Sequence, residues 1–510
     1  MTKLIRKTMN RREFTKAGGL IGAALSLPGC SQIGLAENGT QPSSKVNTTN
    51  QPDWAIGYQD AVAHELETES LELVYGKLPS DLRGRFYRNG PALFERDGLK
   101  MNHWFDGDGM LQMFEIESGN VRHKGSMLKT TKYLSDSKAG RFTTNNFATT
   151  VPDPSPILGP DDMNVSNTSV MSVGGEMFAL WEGGSAFQVD PLTLSPLGSK
   201  TWGDGLKGMP FSAHPKFERD GSLWNFGQDV FSERLIIYRI SATGQLMKVD
   251  LLPDVPGGMI HDFCMTDKHL VFVVPSFRVT QRAATFLDMF SWQAQQAQDV
   301  IVLDKNDLSN RRQYELPPGF QFHFGNAYEE NGDIIYSACV GNDRFVTAGA
   351  RDVLNGRMPE RADTQLMTMR LAKNGSAKVV NEISALAEHE FPQFNPLYQG
   401  RRAQYLYTIG KSYPDRAGES AIIKHDLDNG DYDFYDYGEH HIAEEHLFVP
   451  RSSQASEDDG YLIGTALDFK NQRTQLNVLD AKNIKAGPIA VLRLPYYLPV
   501  GFHGAWVNMS

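Results

Sequence analysis

Short runs of aromatic and β-branched residues follow one another along the chain, broken repeatedly by Asp-Gly or Asn-Gly. Glu218-Arg219-Asp220-Gly221, Glu330-Asn331-Gly332-Asp333 and Asp428-Asn429-Gly430-Asp431 are three such breaks. Runs of that kind bounded by those dipeptides predict strands joined by tight turns, not long helices. One segment departs from the pattern. Within residues 283–298, Phe286, Met289, Phe290 and Gln293 fall on one face, with Leu287 beside it, at helical spacing. No motif recurs at a fixed interval, so periodicity supports a large all-β domain without specifying its architecture. The 47 glycines and 26 prolines fit a turn-rich fold, and large β folds of some 510 residues often form one unit.

Charge and hydropathy narrow the class. The net charge is −11 and no basic stripe interleaved with aromatics occurs, which argues against nucleic-acid binding. No apolar run approaches the ~18 residues that cross a bilayer. The N-terminus instead reads as an address. Asn10-Arg11-Arg12-Glu13-Phe14-Thr15-Lys16 matches a twin-arginine export signal and precedes a mild apolar stretch from Ala17 to Leu27. Leu27-Pro28-Gly29-Cys30 resembles a lipobox, in which Cys30 would be cut, acylated and become the first residue. The expected organisation is a signal peptide over 1–29, a flexible tether over 30–52 rich in Ser, Asn, Thr and Gln, and a single domain over 53–510. Removing 1–29 takes away six basic side chains and one acid, leaving −16. An exported bacterial protein is expected, periplasmic or a membrane-anchored lipoprotein, carried folded by the twin-arginine machinery. Cys264 and Cys339 are too few for a disulfide scaffold.

Four histidines in unlike contexts are the candidate chemistry: His214 in Phe-Ser-Ala-His-Pro-Lys-Phe, His261 in Met-Ile-His-Asp-Phe, His323 in Phe-His-Phe-Gly-Asn-Ala-Tyr-Glu-Glu, and His503 in Gly-Phe-His-Gly-Ala-Trp. Imidazole suits iron, zinc, copper or nickel. Separations of 47, 62 and 180 residues exclude the close ligand pairs of a small zinc module. These words, with Arg88-Asn89-Gly90-Pro91, the block from His103 to Met110, Leu180-Trp181-Glu182-Gly183-Gly184 and the block from Glu445 to Arg451, resemble the carotenoid cleavage oxygenase family, also called the retinal pigment epithelial membrane protein family.

The resemblance implies an all-β, seven-bladed β-propeller with one Fe(2+) on the axis, held by His214, His261, His323 and His503, beneath a dome of helices and loops. It also implies that Glu182, Glu390 and Glu445 fix three of those imidazoles from behind, a role metal-bound histidines generally require. Phe286 and Phe290 would line an apolar tunnel in the dome. Relatives that cleave stilbenes grip the phenol with a tyrosine and a lysine; the matching positions here are Met127 and Met163, whose thioethers cannot polarise a phenol but can line the tunnel, which favours a carotenoid or apocarotenoid. The implied reaction is dioxygenation: O2 and a hydrophobic polyene give two carbonyl products, with no catalytic residue beyond the iron centre. The alternatives are a lignostilbene-type alkene dioxygenase and a non-catalytic exported carotenoid-binding propeller. His103 is not a ligand of the family. The cluster of His440, His441 and His446 reads as a solvated turn, and Asp106-Gly107-Asp108-Gly109 as a turn between strands.

Overall fold

The computed structural model describes residues 51–383 and 386–509; the expected signal segment and the expected tether up to residue 50 lie outside the described residues. Seven antiparallel sheets of four or five strands follow one another in chain order, with two extra two-stranded ribbons. They are the blades of a seven-bladed propeller. Blade one comprises Glu65–Thr68, Gly84–Leu93, Asp108–Glu117 and Asn120–Met127. Blade two runs from Ser169–Val173 to Pro196–Ser199, blade three from Lys216–Phe217 to Leu246–Leu252, and blade four from Cys264–Met265 to Arg311–Leu316. Blade five runs from Phe320–Glu330 to Ala377–Ile383, blade six from Ala387–Gln393 to Tyr432–Asp436, and blade seven from His441–Pro450 to Pro488–Arg493.

Closure uses both ends of the domain. Glu72–Gly76 completes blade seven beside Pro488–Arg493, and Gly504–Asn508 completes blade one beside Gly84–Leu93. Each end thus covers a strand edge that would otherwise present unpaired N–H and C=O groups.

Packing between blades explains why strict alternation is weak in the sequence. A middle strand such as Gly460–Asp468 is buried at every residue, because both faces of its blade press on neighbours. One apolar cluster fills each interface. Phe86, Phe114, Ile463 and Leu476 join blades one and seven; Leu111, Val170 and Met177 join one and two; Phe226, Phe263 and Phe272 join three and four. Two further clusters, around Trp54, Tyr58 and Trp104 and around Phe277, Met289 and Phe320, roof one end of the propeller.

The roof contains little helix. Thr131–Ala139 begins where Thr130 Oγ1 accepts from Tyr133 N–H and ends at Gly140, whose φ of 70° stops it. The helix expected over 283–298 is not formed. A single 3-10 turn at Leu287–Met289 gives way to Phe290–Trp292, which pairs with Phe277–Val279. The segment carries two patterns: Phe286, Met289 and Phe290 match a helix, whereas Phe290 and Trp292 flanking Ser291 match a strand. The partner strand decides for the second, and the Thr285–Asp288 side-chain bond of 2.6 Å closes the turn.

Candidate metal centre

Each blade brings one residue to the axis. His214 precedes the first strand of blade three, His261 that of blade four, and His323 lies within Phe320–Glu330 of blade five. His503 immediately precedes the strand that closes blade one. Glu182, Glu390 and Glu445 come from blades two, six and seven. The four imidazoles are buried and their ligand atoms lie within 4.8 Å of one another. Nitrogens on opposite sides of an ion at ~2.1 Å stand about 4 Å apart, so the cage has the size of one metal ion.

The carboxylates set the tautomers. His323 Nδ1 meets Glu390 Oε2 at 2.5 Å, His503 Nδ1 meets Glu445 Oε1 at 3.0 Å, and His261 Nδ1 contacts Glu182 Oε1. With Nδ1–H engaged outwards, the Nε2 lone pairs of these three rings are free to point inwards. His214 Nε2 faces His261 Nε2 at 2.8 Å, and His323 Nε2 is buried without a hydrogen-bond partner.

Electrostatics agree with a cation site. Burial, and then mutual repulsion among the rings, holds His214 and His323 well below the ordinary histidine value, and His503 likewise. Burial also opposes charge on His261, but the adjacent Glu182 carboxylate and then Asp262 outweigh it and raise the group. Burial pushes Glu390 up to about 8 and Glu445 up to about 7. Imidazoles held neutral keep their lone pairs for a metal, and a divalent ion at the cage would favour the ionised form of the two buried carboxyls. The donor set, the orphaned Nε2 and the cage size all fit such an ion.

Local strain and irregular pairing aim these groups. Glu390 lies between Glu388 and Phe391, which adopt φ of 58° and 51°, and the ladder slips on both sides of it. Left-handed non-glycine residues cost about 1–3 kcal/mol each and persist where the surrounding structure imposes them. In blade seven a bulge between Ala443 and His446 lets both Glu444 and Glu445 be buried. Glu445 also accepts from Gly504 N at 2.8 Å and Gln393 Nε2 at 2.9 Å. Glu444 turns to Arg88, whose Nη2 lies 2.9 Å from Oε1, and accepts from Gly501 N at 2.6 Å.

Residues that carry no obvious chemistry staple the blades around the cage. Asp262, next to His261, pairs with Lys216 of blade three at 2.8 Å and accepts from Phe324 N of blade five at 3.1 Å. Asn89 Nδ2 donates to the carbonyls of Ser166 and Ser169, and Asn326 Nδ2 to those of Tyr398 and Arg401. Arg88 and Asp262 stand inside the recognised words and Glu444 beside one, but nothing in the sequence marks the role of any of the three.

Above the cage lies a cavity of about 300 Å³, the low end of the usual range for ligand sites. Phe105, Phe147, Phe286, Phe322 and Met163 are among its walls. Met127 is not: it ends a blade-one strand and sits in the interface of blades one and seven, 1% exposed, because strand alternation turns it into that core. Phe290 also lies behind the wall, stacked on Phe277 at 5.4 Å and supporting Phe286 at 5.0 Å, since the strand it joins replaces the expected helix. The expected solvated histidine turn holds in part: His440 is half-exposed and His441 half-buried beside Asp468. His446 is buried, its Nε2 bonded to Tyr437 Oη at 2.8 Å, because the bulge turns it inwards. His103 caps the 3-10 turn Trp104–Asp106 and contacts the Val346 carbonyl at 2.8 Å. Asp106 and Asp108 are buried: Asp106 accepts from Ala148 N and Asp108 pairs with Lys132. Cys264 and Cys339 are free.

Comparison with known proteins agrees with this geometry. The chain is 30% identical to the apocarotenoid-15,15'-oxygenase of Synechocystis over 89% of its own length and 96% of that protein. It is 27% identical to the isoeugenol monooxygenase of Pseudomonas nitroreducens over 87% of its length and 95% of that protein. A solved cobalt-substituted Synechocystis apocarotenoid oxygenase superposes with a TM-score of 0.78 at 26% identity, covering 90% of this chain and 98% of the other. The family model described as retinal pigment epithelial membrane protein matches residues 60–508, and the chain belongs to that family.

Proposed function

We propose that this protein is an Fe(II)-dependent dioxygenase that splits a conjugated C=C bond of a carotenoid or apocarotenoid, both atoms of O2 entering the two carbonyl products. One observation carries the reading: a four-imidazole cage at the floor of a cavity with aromatic walls. Bound iron would supply oxygen activation and a template beside the double bond. His214, His261, His323 and His503 would hold it, and Glu182, Glu390 and Glu445 would fix the rings. Phe105, Phe147, Phe286 and Phe322 offer apolar faces to a polyene and keep bulk water from the cage. Which bond is presented depends on how far the polyene enters. The reaction adds O2 and breaks one double bond without a net proton transfer, so the glutamates act on geometry and not as acids or bases.

Signal-free protein loaded with Fe(II) and incubated aerobically with carotenoids, apocarotenals and hydroxystilbenes tests this, with products identified by mass spectrometry. Aldehydes from the polyenes, lost in His261→Ala together with bound iron, are expected. Cleavage of the stilbenes alone would replace the substrate class and keep the oxygenase; relatives named for isoeugenol and for resveratrol make that the rival reading. Tight pigment binding without metal would favour a carrier.

The twin-arginine signal would export the folded protein, acylated Cys30 would anchor it, and residues 31 to about 52 would tether the cavity near a bilayer. A polyene dissolves in that bilayer, so tethering raises its effective concentration at the site. The expected result is export to the periplasm, blocked by changing both Arg11 and Arg12 to Lys, and membrane fractionation lost in Cys30→Ser; cytoplasmic retention of the native chain would refute it.

A further inference from the structure

The blade-six end of the cavity is charged. Ile409 and Lys411 both line it from Tyr405–Lys411 of blade six, two residues and thus about 7 Å apart on one face of the strand. Ile409 pairs with Glu390, the residue behind His323, so Lys411 stands one side-chain position beyond the cage. Glu419, Glu388 and Arg361 line the same end.

Lys411 is unusual among these groups. It is only 7% exposed, yet among the described residues its ammonium makes no hydrogen bond and no ion pair. The nitrogen is not sealed in the interior, and the space it borders is the cavity. Its neighbours are otherwise engaged. Arg361 Nε pairs with Glu388 at 2.7 Å, and burial pushes the Glu419 carboxyl up to about 7, leaving it partly protonated near neutrality. Burial lowers the Lys411 value, which Glu419 and Glu388 partly offset. A buried cation with unused donors is costly unless a partner arrives, and here the partner can only come through the cavity.

We propose that Lys411 is a specificity residue that donates a hydrogen bond to an oxygen at one end of the substrate, selecting oxygenated polyenes over hydrocarbon ones. The inference rests on the proposed function for the polyene and adds the end group. An aldehyde, ketone or hydroxyl oxygen is the chemistry required, since the aromatic walls accept the chain and only the Lys411 end offers a free charged donor. Such an end group also sets depth: with the oxygen held at Lys411, one bond of the chain lies over the cage.

The test compares an apocarotenal with the hydrocarbon polyene of equal chain length in the wild type, Lys411→Met and Lys411→Arg. A hydrogen bond to a charged donor predicts that the aldehyde-to-hydrocarbon ratio of kcat/KM falls about 10–100-fold in Lys411→Met. Lys411→Arg should retain most of the preference. Binding to metal-free protein, followed by quenching of tryptophan fluorescence, should lose aldehyde preference by a similar factor in Lys411→Met. Unchanged ratios in both measurements would overturn the proposal. If the wild type cleaves no polyene, the proposed function fails, and the binding ratio alone then decides the role of Lys411.

Discussion

Glu444 and Glu445 are adjacent, both buried, and should have separable effects. Glu445→Gln keeps size and shape but removes the charge that His503 Nδ1, Gln393 Nε2 and Gly504 N address at 3.0, 2.9 and 2.8 Å. An amide cannot accept from all three, because one of its two heavy atoms is itself a donor. The orientation and basicity of His503 suffer, and loss of such a partner weakens metal affinity about 10–100-fold, or about 1.4–2.7 kcal/mol. Glu444→Gln instead breaks the ion pair with Arg88, whose side chain is 3% exposed, and alters a side chain whose partners are Arg88, Thr465 and Gly501 and no imidazole of the cage. Removing one partner of a buried pair costs about 3–5 kcal/mol of stability, since the other charge stays buried. Metal affinity from chelator competition and stability from denaturant titration should therefore respond oppositely: metal loosened with modest destabilisation in Glu445→Gln, and the reverse in Glu444→Gln. Equal loss of metal in both variants would show that the bulge does not divide the two roles.

Other outcomes follow from the same contacts. Gly90→Ala would place a methyl carbon 2.4 Å from Gly501 Cα, where Asn89 exchanges backbone hydrogen bonds with Phe502 and His503; metal analysis should show metal lost from the folded variant, and full retention would refute the coupling. His123, held down to about 3 by burial, stays neutral in the fold while the unfolded chain titrates near 6.5. A depressed histidine contributes stability that is whole above the unfolded value and declines as pH falls towards the folded one, by about 1.4 kcal/mol per pH unit. His123→Gln should flatten the stability profile between about pH 6 and 4 by that slope; parallel profiles for the two proteins would count against it. His261→Ala should lose bound metal and turnover together, as measured by metal content and product formation.

The ligands were legible because each imidazole carries a distinctive local word, and metal chemistry demands few residue types. The strands were legible because turn dipeptides punctuate them. Order around the ring was not, since Glu72–Gly76 and Gly504–Asn508 pair with blades far away in sequence, and nothing local announces that pairing. Facing was not legible either. Neither Met127 nor Phe290, both expected in the tunnel, lines the cavity, because alternation and a ribbon partner turn both into cores. His446 and Glu444 turned inwards at a bulge, a slip that local composition does not encode. Residue types thus settled which chemistry the chain carries. Register, bulges and the meeting of seven blades decided which side chains face the metal site, which support it, and that Lys411 is left with donors to offer.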